Sequence, residues 1–185
     1  MKISIKNMVC NRCITAVQAI FDELGFEVSN IHLGEVETKD ELGKNDLSKL
    51  NSKLQLTGFE ILKDSSKKQI EKIKNLLVEK IAEEDIAEDF MLTEYISSQM
   101  NKDYSSLSKL FSQNESVTLE QYFILQKIEK VKELLLYKEF NLTEISQKLG
   151  YKSVQHLSSQ FKKITGFSPT QFLNSKEKRI ALDQV

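Results

Sequence analysis

Displaced by 50 residues, the C-terminal half of the chain overlays itself, which argues for two copies of one supersecondary unit. Leu92-Thr93-Glu94 overlays Leu142-Thr143-Glu144, Leu107-Ser108 overlays Leu157-Ser158, Phe111 overlays Phe161, and Tyr122 overlays Phe172. Thr118 with Gln121 and Ser168 with Gln171 share capping-box spacing, so each copy leads into a following helix. In the second copy Leu142, Ile145 and Leu149 recur at helical spacing, as do Leu157, Phe161 and Ile164 after them. Gly150 stands between the two runs, where a helix ends in the left-handed region at least cost. Ser153 suits the cap of the second helix, and Ser168-Pro169 opens a third. Two short helices around such a turn form a helix-turn-helix, whose second helix can lie in a DNA major groove. In the first copy Met100 replaces the glycine, and Asn101-Lys102-Asp103 supplies the turn. Between the copies, Leu119 to Lys138 reads as one long helix with Phe123, Ile124, Ile128, Val131, Leu134 and Leu135 inward.

The run from Leu142 to Tyr151, LTEISQKLGY, and that from His156 to Phe172, HLSSQFKKITGFSPTQF, closely resemble the C-terminal signature of AraC-type transcription regulators. That family's DNA-binding domains also hold two helix-turn-helix units. The resemblance implies double-stranded DNA bound through two adjacent major grooves, over about two helical turns per protomer. Its base-reading positions fall on Ser105, Ser108 and Lys109 in the first recognition helix, and on Val154, Gln155, Ser158 and Ser159 in the second. Gln155 suits an adenine edge and Val154 a thymine methyl. Lys152, Lys162 and Lys163 are placed for phosphates. Homodimers and contact with RNA polymerase are further implications. Residues 92–185 carry 13 Lys/Arg against 10 Asp/Glu, a net +3 that permits DNA binding without proving it.

Residues 1–62 read differently. Lys2–Lys6 alternates as a half-buried strand. Ala16, Val17, Ile20, Phe21 and Leu24 then give a helix ending at Gly25. Phe26–Leu33 alternates with Phe26, Val28, Ile31 and Leu33 as its buried set, and Glu35–Thr38 is a third strand. Leu47, Leu50 and Leu54 mark a second helix, and Phe59–Leu62 a last strand. The order βαββαβ is the ferredoxin-like plan. With Met8-x-Cys10-x-x-Cys13 after the first strand and Gly58-Phe59-Glu60-Ile61 at the last, the unit is similar to the heavy-metal-associated domains of copper chaperones and metal-pumping ATPases. Asn7 stands where those domains carry glycine.

Cys10 and Cys13 are the chain's only cysteines, three apart, which suits a metal or redox site in a reducing cytoplasm better than a structural disulfide. A helix start and nearby Arg12 would stabilise a thiolate at Cys13. Two soft thiolates favour Cu(I); Zn(II) wants four ligands, and His32 is the one nearby candidate for a third. Met8 reads as a core plug. A thiol/disulfide switch and an inert scaffold for partner contact are the alternatives.

Four segments result: a ferredoxin-like domain (1–62), a helical connector (63–91), an all-α DNA-binding domain of two helix-turn-helix units joined by a long helix (92–175), and a tail (176–185). In the connector, Ser66 and Gln69 have capping-box spacing before a stripe of Ile70, Ile73, Leu77 and Ile81, a face for packing or for dimerisation. No apolar run reaches membrane-span length, and no nucleophile, phosphate loop or zinc-hydrolase motif suggests an enzyme. The sequence thus points to a cytoplasmic DNA-binding regulator with a metal-responsive N-terminus. The rival is a metallochaperone-like or protein-interaction adaptor.

Overall fold

Ile3 and Ile5 alternate with polar neighbours along β1 (Lys2–Lys6) and are buried, so the strand turns one face to the core. The computed structural model describes residues 1–175, 179–180 and 182–185, and its contacts divide it into two units, Met1–Asn75 and Leu76–Val185.

In the first unit β1 is followed by α1 (Asn11–Glu23), β2 (Val28–His32), β3 (Glu35–Thr38), α2 (Lys44–Leu56) and β4 (Glu60–Leu62). The strands form one antiparallel sheet in the order β2-β3-β1-β4. Ile3 and Ile5 share the core with Val17 and Phe21 of α1, Val36 of β3, and Leu50 and Leu54 of α2. Met8 is fully buried there, closing the loop end of the core. Two expectations need correction. Phe26, Val28, Ile31 and Leu33 are only half-buried, because β2 is an edge strand with a neighbour on one side. Ala16 is exposed, since the buried face of α1 is the narrower Val17-Ile20-Phe21 set.

The chain continues into α3 (Ser65–Ala82), whose Ile70, Ile73, Leu77 and Ile81 are all buried. Its cap is Asp64 rather than Ser66: Asp64 Oδ1 accepts the N–H of Ser66 at 2.8 Å and of Lys67 at 3.0 Å. The helix begins two residues earlier than the Ser66 spacing implies, and an aspartate at the true N-cap outcompetes an internal serine.

Six helices follow in the second unit: α4 (Leu92–Met100), α5 (Tyr104–Asn114), α6 (Leu119–Tyr137), α7 (Leu142–Lys148), α8 (Val154–Thr165) and α9 (Pro169–Asn174). α6 is buried nearly all round, including Gln126, Lys127, Glu129 and Lys132, as befits a helix with neighbours on several sides. Residues 76–91, expected within a separate connector, belong to this unit. Glu84 holds Lys130 of α6 at 2.8 Å and Lys148 of α7 at 3.3 Å, and the Lys130 ammonium chiefly keeps its carboxyl below the usual range. The Ile86 N–H donates to the Lys148 carbonyl at 3.0 Å. Phe90 packs its ring 5.4 Å from Tyr95 and 5.7 Å from Phe123.

Of the expected tail, residues 176–178 and 181 lie outside the described residues. Its other residues reach α6: Arg179 pairs with Glu133 at 2.8 Å, and the Ile180 N–H donates to Glu129 Oε2 at 2.8 Å. Gln126 Nε2 donates to the Leu182 carbonyl at 3.1 Å. No helix among the described residues is long and apolar enough to cross a membrane.

Candidate nucleic-acid interface and thiol pair

The second helix-turn-helix is fixed by its caps. Asn141 and Glu144 form a reciprocal capping box on α7, whose sequence signal is an N-cap asparagine three residues before a glutamate. α7 ends at a turn where Gly150 has φ +65°, and Ser153 then caps α8 by accepting the His156 N–H at 3.1 Å. Leu157 and Phe161 are fully buried, but Ile164 is 36% exposed. That corrects the expected apolar face: only the first two of the three positions reach the core. Phe161 meets Phe172 of α9 edge-on at 5.6 Å.

The first copy reaches the same geometry by another route. Asn101, with φ +50°, supplies the left-handed residue one place later than Gly150 does in the second copy. Asparagine tolerates that region better than most residues, because its short side chain can bond locally. Asp103 rather than serine caps α5, accepting the Ser106 N–H at 3.1 Å. The Ser105 hydroxyl also donates to Asp103 and, with the Ser106 N–H, holds its carboxyl below the usual range. A carboxylate therefore sits at the start of the first recognition helix, where the second carries a neutral hydroxyl. The Asp103 signal was legible in the sequence as an N-cap residue before an apolar run.

All ten expected DNA-contact positions are accessible. Ser105, Lys109, Lys152, Gln155, Ser159, Lys162 and Lys163 are exposed; Ser108, Val154 and Ser158 are half-buried. On α8, Gln155 and Ser159 are turned away from buried Leu157 and Phe161, while Val154 and Ser158 flank that face and are half-buried. Ser105 alone has its hydroxyl committed to a carboxylate within its own cap.

Behind the second turn lies Tyr151, buried, whose hydroxyl donates to Gln160 Oε1 at 2.8 Å. His156, exposed, meets its ring edge-on at 5.4 Å, a packing role. Lys127 of α6 places its ammonium 3.9 Å from the same ring. Burial pulls this lysine down to about 8. Between about pH 8 and 10.5 the unfolded chain therefore binds more protons at this site than the folded one, so its contribution to stability rises with pH there and is flat below. Replacing Lys127 by Met should flatten that arm and stabilise the fold at pH 7 by on the order of 1 kcal/mol, net of the lost ring contact. Urea titrations of both proteins at pH 7 and 9.5 measure it; a parallel pH response in the two would refute it.

In the first unit the Cys10 and Cys13 sulfurs lie 3.4 Å apart, both half-buried. Cys10 is the N-cap of α1 and Cys13 lies in its first turn. Burial raises the Cys13 thiol above its ordinary value; a Val9 backbone hydrogen bond opposes this and the Cys10 thiol adds to it. The expected lowering by the helix start is thus outweighed. Asn7, with φ +70°, occupies the left-handed region, and its Nδ2 donates to the Gly58 carbonyl at 2.8 Å. Among the described residues no group of three His, Cys, Asp or Glu side chains could hold a metal. His32 is exposed on edge strand β2. Two adjacent thiols are soft donors of the kind that a soft ion takes.

The family described as a helix-turn-helix domain matches residues 96–175. A probable transcriptional regulator, LumQ of Photobacterium leiognathi, is 24% identical over 105 residues, 57% of this chain and 42% of that protein. The xylose operon regulatory protein of Escherichia coli K12 is 34% identical over 68 residues, 37% of this chain and 17% of that protein. The chain thus spans less than half the length of these relatives. In fold it is similar to the C-terminal domain of AraT, a response regulator of Geobacillus stearothermophilus, with a TM-score of 0.50 and 23% identity over 60% of this chain and 90% of that one. With its two capped motifs around one buried helix, the C-terminal unit carries a helix-turn-helix domain.

Proposed function

We propose that the chain is a sequence-specific DNA-binding transcription regulator whose N-terminal unit, a ferredoxin-like domain of the heavy-metal-associated kind, senses a soft metal ion, Cu(I) first, at Cys10 and Cys13. The observation that carries it is the pair of recognition helices, α5 and α8, on either side of the unbroken α6. Nineteen residues of α6 at about 1.5 Å each span about 28 Å, close to the roughly 34 Å turn of DNA. Two successive major grooves on one face of a duplex are then within reach. The second motif reads bases through Val154, Gln155, Ser158 and Ser159, while Lys152, Lys162 and Lys163 meet phosphates. The first motif, with a carboxylate at the head of its helix, serves mainly to position, through Ser108 and Lys109. The relatives it matches are named as regulators, and nothing in this reading calls for an enzyme.

Regulation requires that the ion bind one conformation more tightly than the other. The 3.4 Å approach of the two thiols favours a second reading, a dithiol sensor of a reducing cytoplasm. There the two thiols close to a disulfide and pass two electrons and two protons to an oxidant.

Selection from random duplex DNA with the purified chain tests all of this, run reduced, reduced with Cu(I), and with a thiol oxidant. An enriched motif of about two turns is expected, with recovery that responds to Cu(I) in the native chain and not in the Cys10→Ser, Cys13→Ser double variant. A response to oxidant alone selects the redox reading. Enrichment indifferent to both removes the sensor, and no enrichment at all selects the adaptor. Within the enriched site, Gln155→Ala should relax one base position by about 1–3 kcal/mol and leave the others unchanged.

A further inference from the structure

The first unit contains a cavity of about 570 Å³, within the usual range for small-molecule sites and away from the thiol pair. Its floor is apolar, from Ile3, Leu47, Ile61 and Leu62. The polar side chains around it are all of one kind: each can donate a hydrogen bond, and no Asp or Glu lines it. In a chain with 27 acidic residues against 26 basic ones, that bias is a property of the site and not of the composition.

Three lysines at the rim are unspent. Lys2 pairs with Glu35 at 2.9 Å, but Lys44, Lys63 and Lys68 make no ion pair among the described residues. They come from three separate segments: the first turn of α2, the end of β4 and the first turns of α3. The fold therefore gathers them; no local charge run explains their meeting. Asn51 adds a fixed donor. Its Oδ1 accepts the Ile61 N–H at 2.9 Å, which orients the amide and leaves only the Nδ2 hydrogens for a ligand.

We infer that this cavity binds a small amphipathic anion, a carboxylate or phosphate head on a short apolar body. The head meets Lys44, Lys63 and Lys68, with Asn51 Nδ2 and the Ser48 hydroxyl as directional donors, and the body lies on Leu47 and Ile61. Lysines bind such heads as point charges, so the site selects charge before shape and tolerates either head. This reading is independent of the metal and of DNA binding.

The test is titration of the isotope-labelled full chain, followed by amide resonances, with octanoate, octylamine and inorganic phosphate as probes. Octanoate is expected to shift the Ser48, Asn51 and Ile61 amides saturably. Octylamine, with the same tail and the opposite charge, should not, and phosphate without a tail should bind at least about tenfold more weakly. The Lys44→Glu, Lys68→Glu double variant, both changes being at exposed or half-buried positions, should keep the native amide pattern and lose at least about tenfold in octanoate affinity. Equal responses to octanoate and octylamine, equal responses to octanoate and phosphate, an unaltered affinity in the double variant, or no saturable shift below about 10 mM would each overturn the inference.

Discussion

Replacing Gly150 by Ala should destabilise the C-terminal unit by at least about 3 kcal/mol, a large part of the roughly 5–15 kcal/mol that a domain has. Two separate causes add. At φ +65° the residue lies in the left-handed region, where a Cβ costs about 1–2 kcal/mol. That Cβ would also stand 2.7 Å from the Ala87 carbonyl oxygen and 2.9 Å from that of Ile86, backbone that cannot swing aside. The segment it would displace carries the Ile86 N–H bond to Lys148 and follows directly on the Glu84 bridge to α6 and α7. Gly166 supplies the control. Its φ is +81°, but nothing lies within 4 Å of an added Cβ, so Gly166→Ala should cost only the conformational part, about 1–2 kcal/mol. Urea unfolding followed by helical circular dichroism gives both numbers. Equal costs would mean that the 86–87 segment does not brace the turn.

Phe161→Ala is expected to cost about 3–5 kcal/mol, because a fully buried ring leaves a cavity and abandons its edge-on partner Phe172. The consequence for function is direct, since Phe161 is what seats α8 on α9. With the helix loosened, DNA affinity should fall even though no contact residue has changed. Ile164→Ala, one turn further along the same helix but 36% exposed, should cost less than about 1 kcal/mol and leave DNA affinity intact. The same unfolding measurement separates them. A cost for Ile164 comparable to that of Phe161 would restore the three-residue apolar face that periodicity alone suggests.

That contrast shows where periodicity stops. Leu157, Phe161 and Ile164 share one helical face, yet α8 packed against α6, α7 and α9 buries only the first two. Burial of the third position depends on how the neighbouring helices are placed, which lies outside the local pattern. The caps were more legible, because a cap is a local bond between a side chain and an amide two or three residues on. Ser153 and Ser168 act as their spacing implies, while Asn141 was missed and Ser66 displaced by Asp64. Gln155 and Ser159 on α8 were readable as the face opposite the core, whereas Val154 and Ser158 border it and are half-buried. The carboxylate at the head of α5 was equally legible, since Asp103 caps through Ser105 and Ser106 next to it.

The sequence by itself determined the repeated helix-turn-helix, the long central helix, the strand and helix segments of the N-terminal unit, and the closeness of Cys10 to Cys13. All of these rest on interactions within a few residues or on one period. Only the tertiary structure decided that residues 76–91 join the helical unit, that Glu84 bridges Lys130 and Lys148, and that Gly150 is needed for space as well as for its backbone angle. It also decided that Lys44, Lys63 and Lys68 line one cavity. Each of these joins residues far apart in the chain, and a pairing over that distance is fixed by how whole elements pack, which no local pattern encodes.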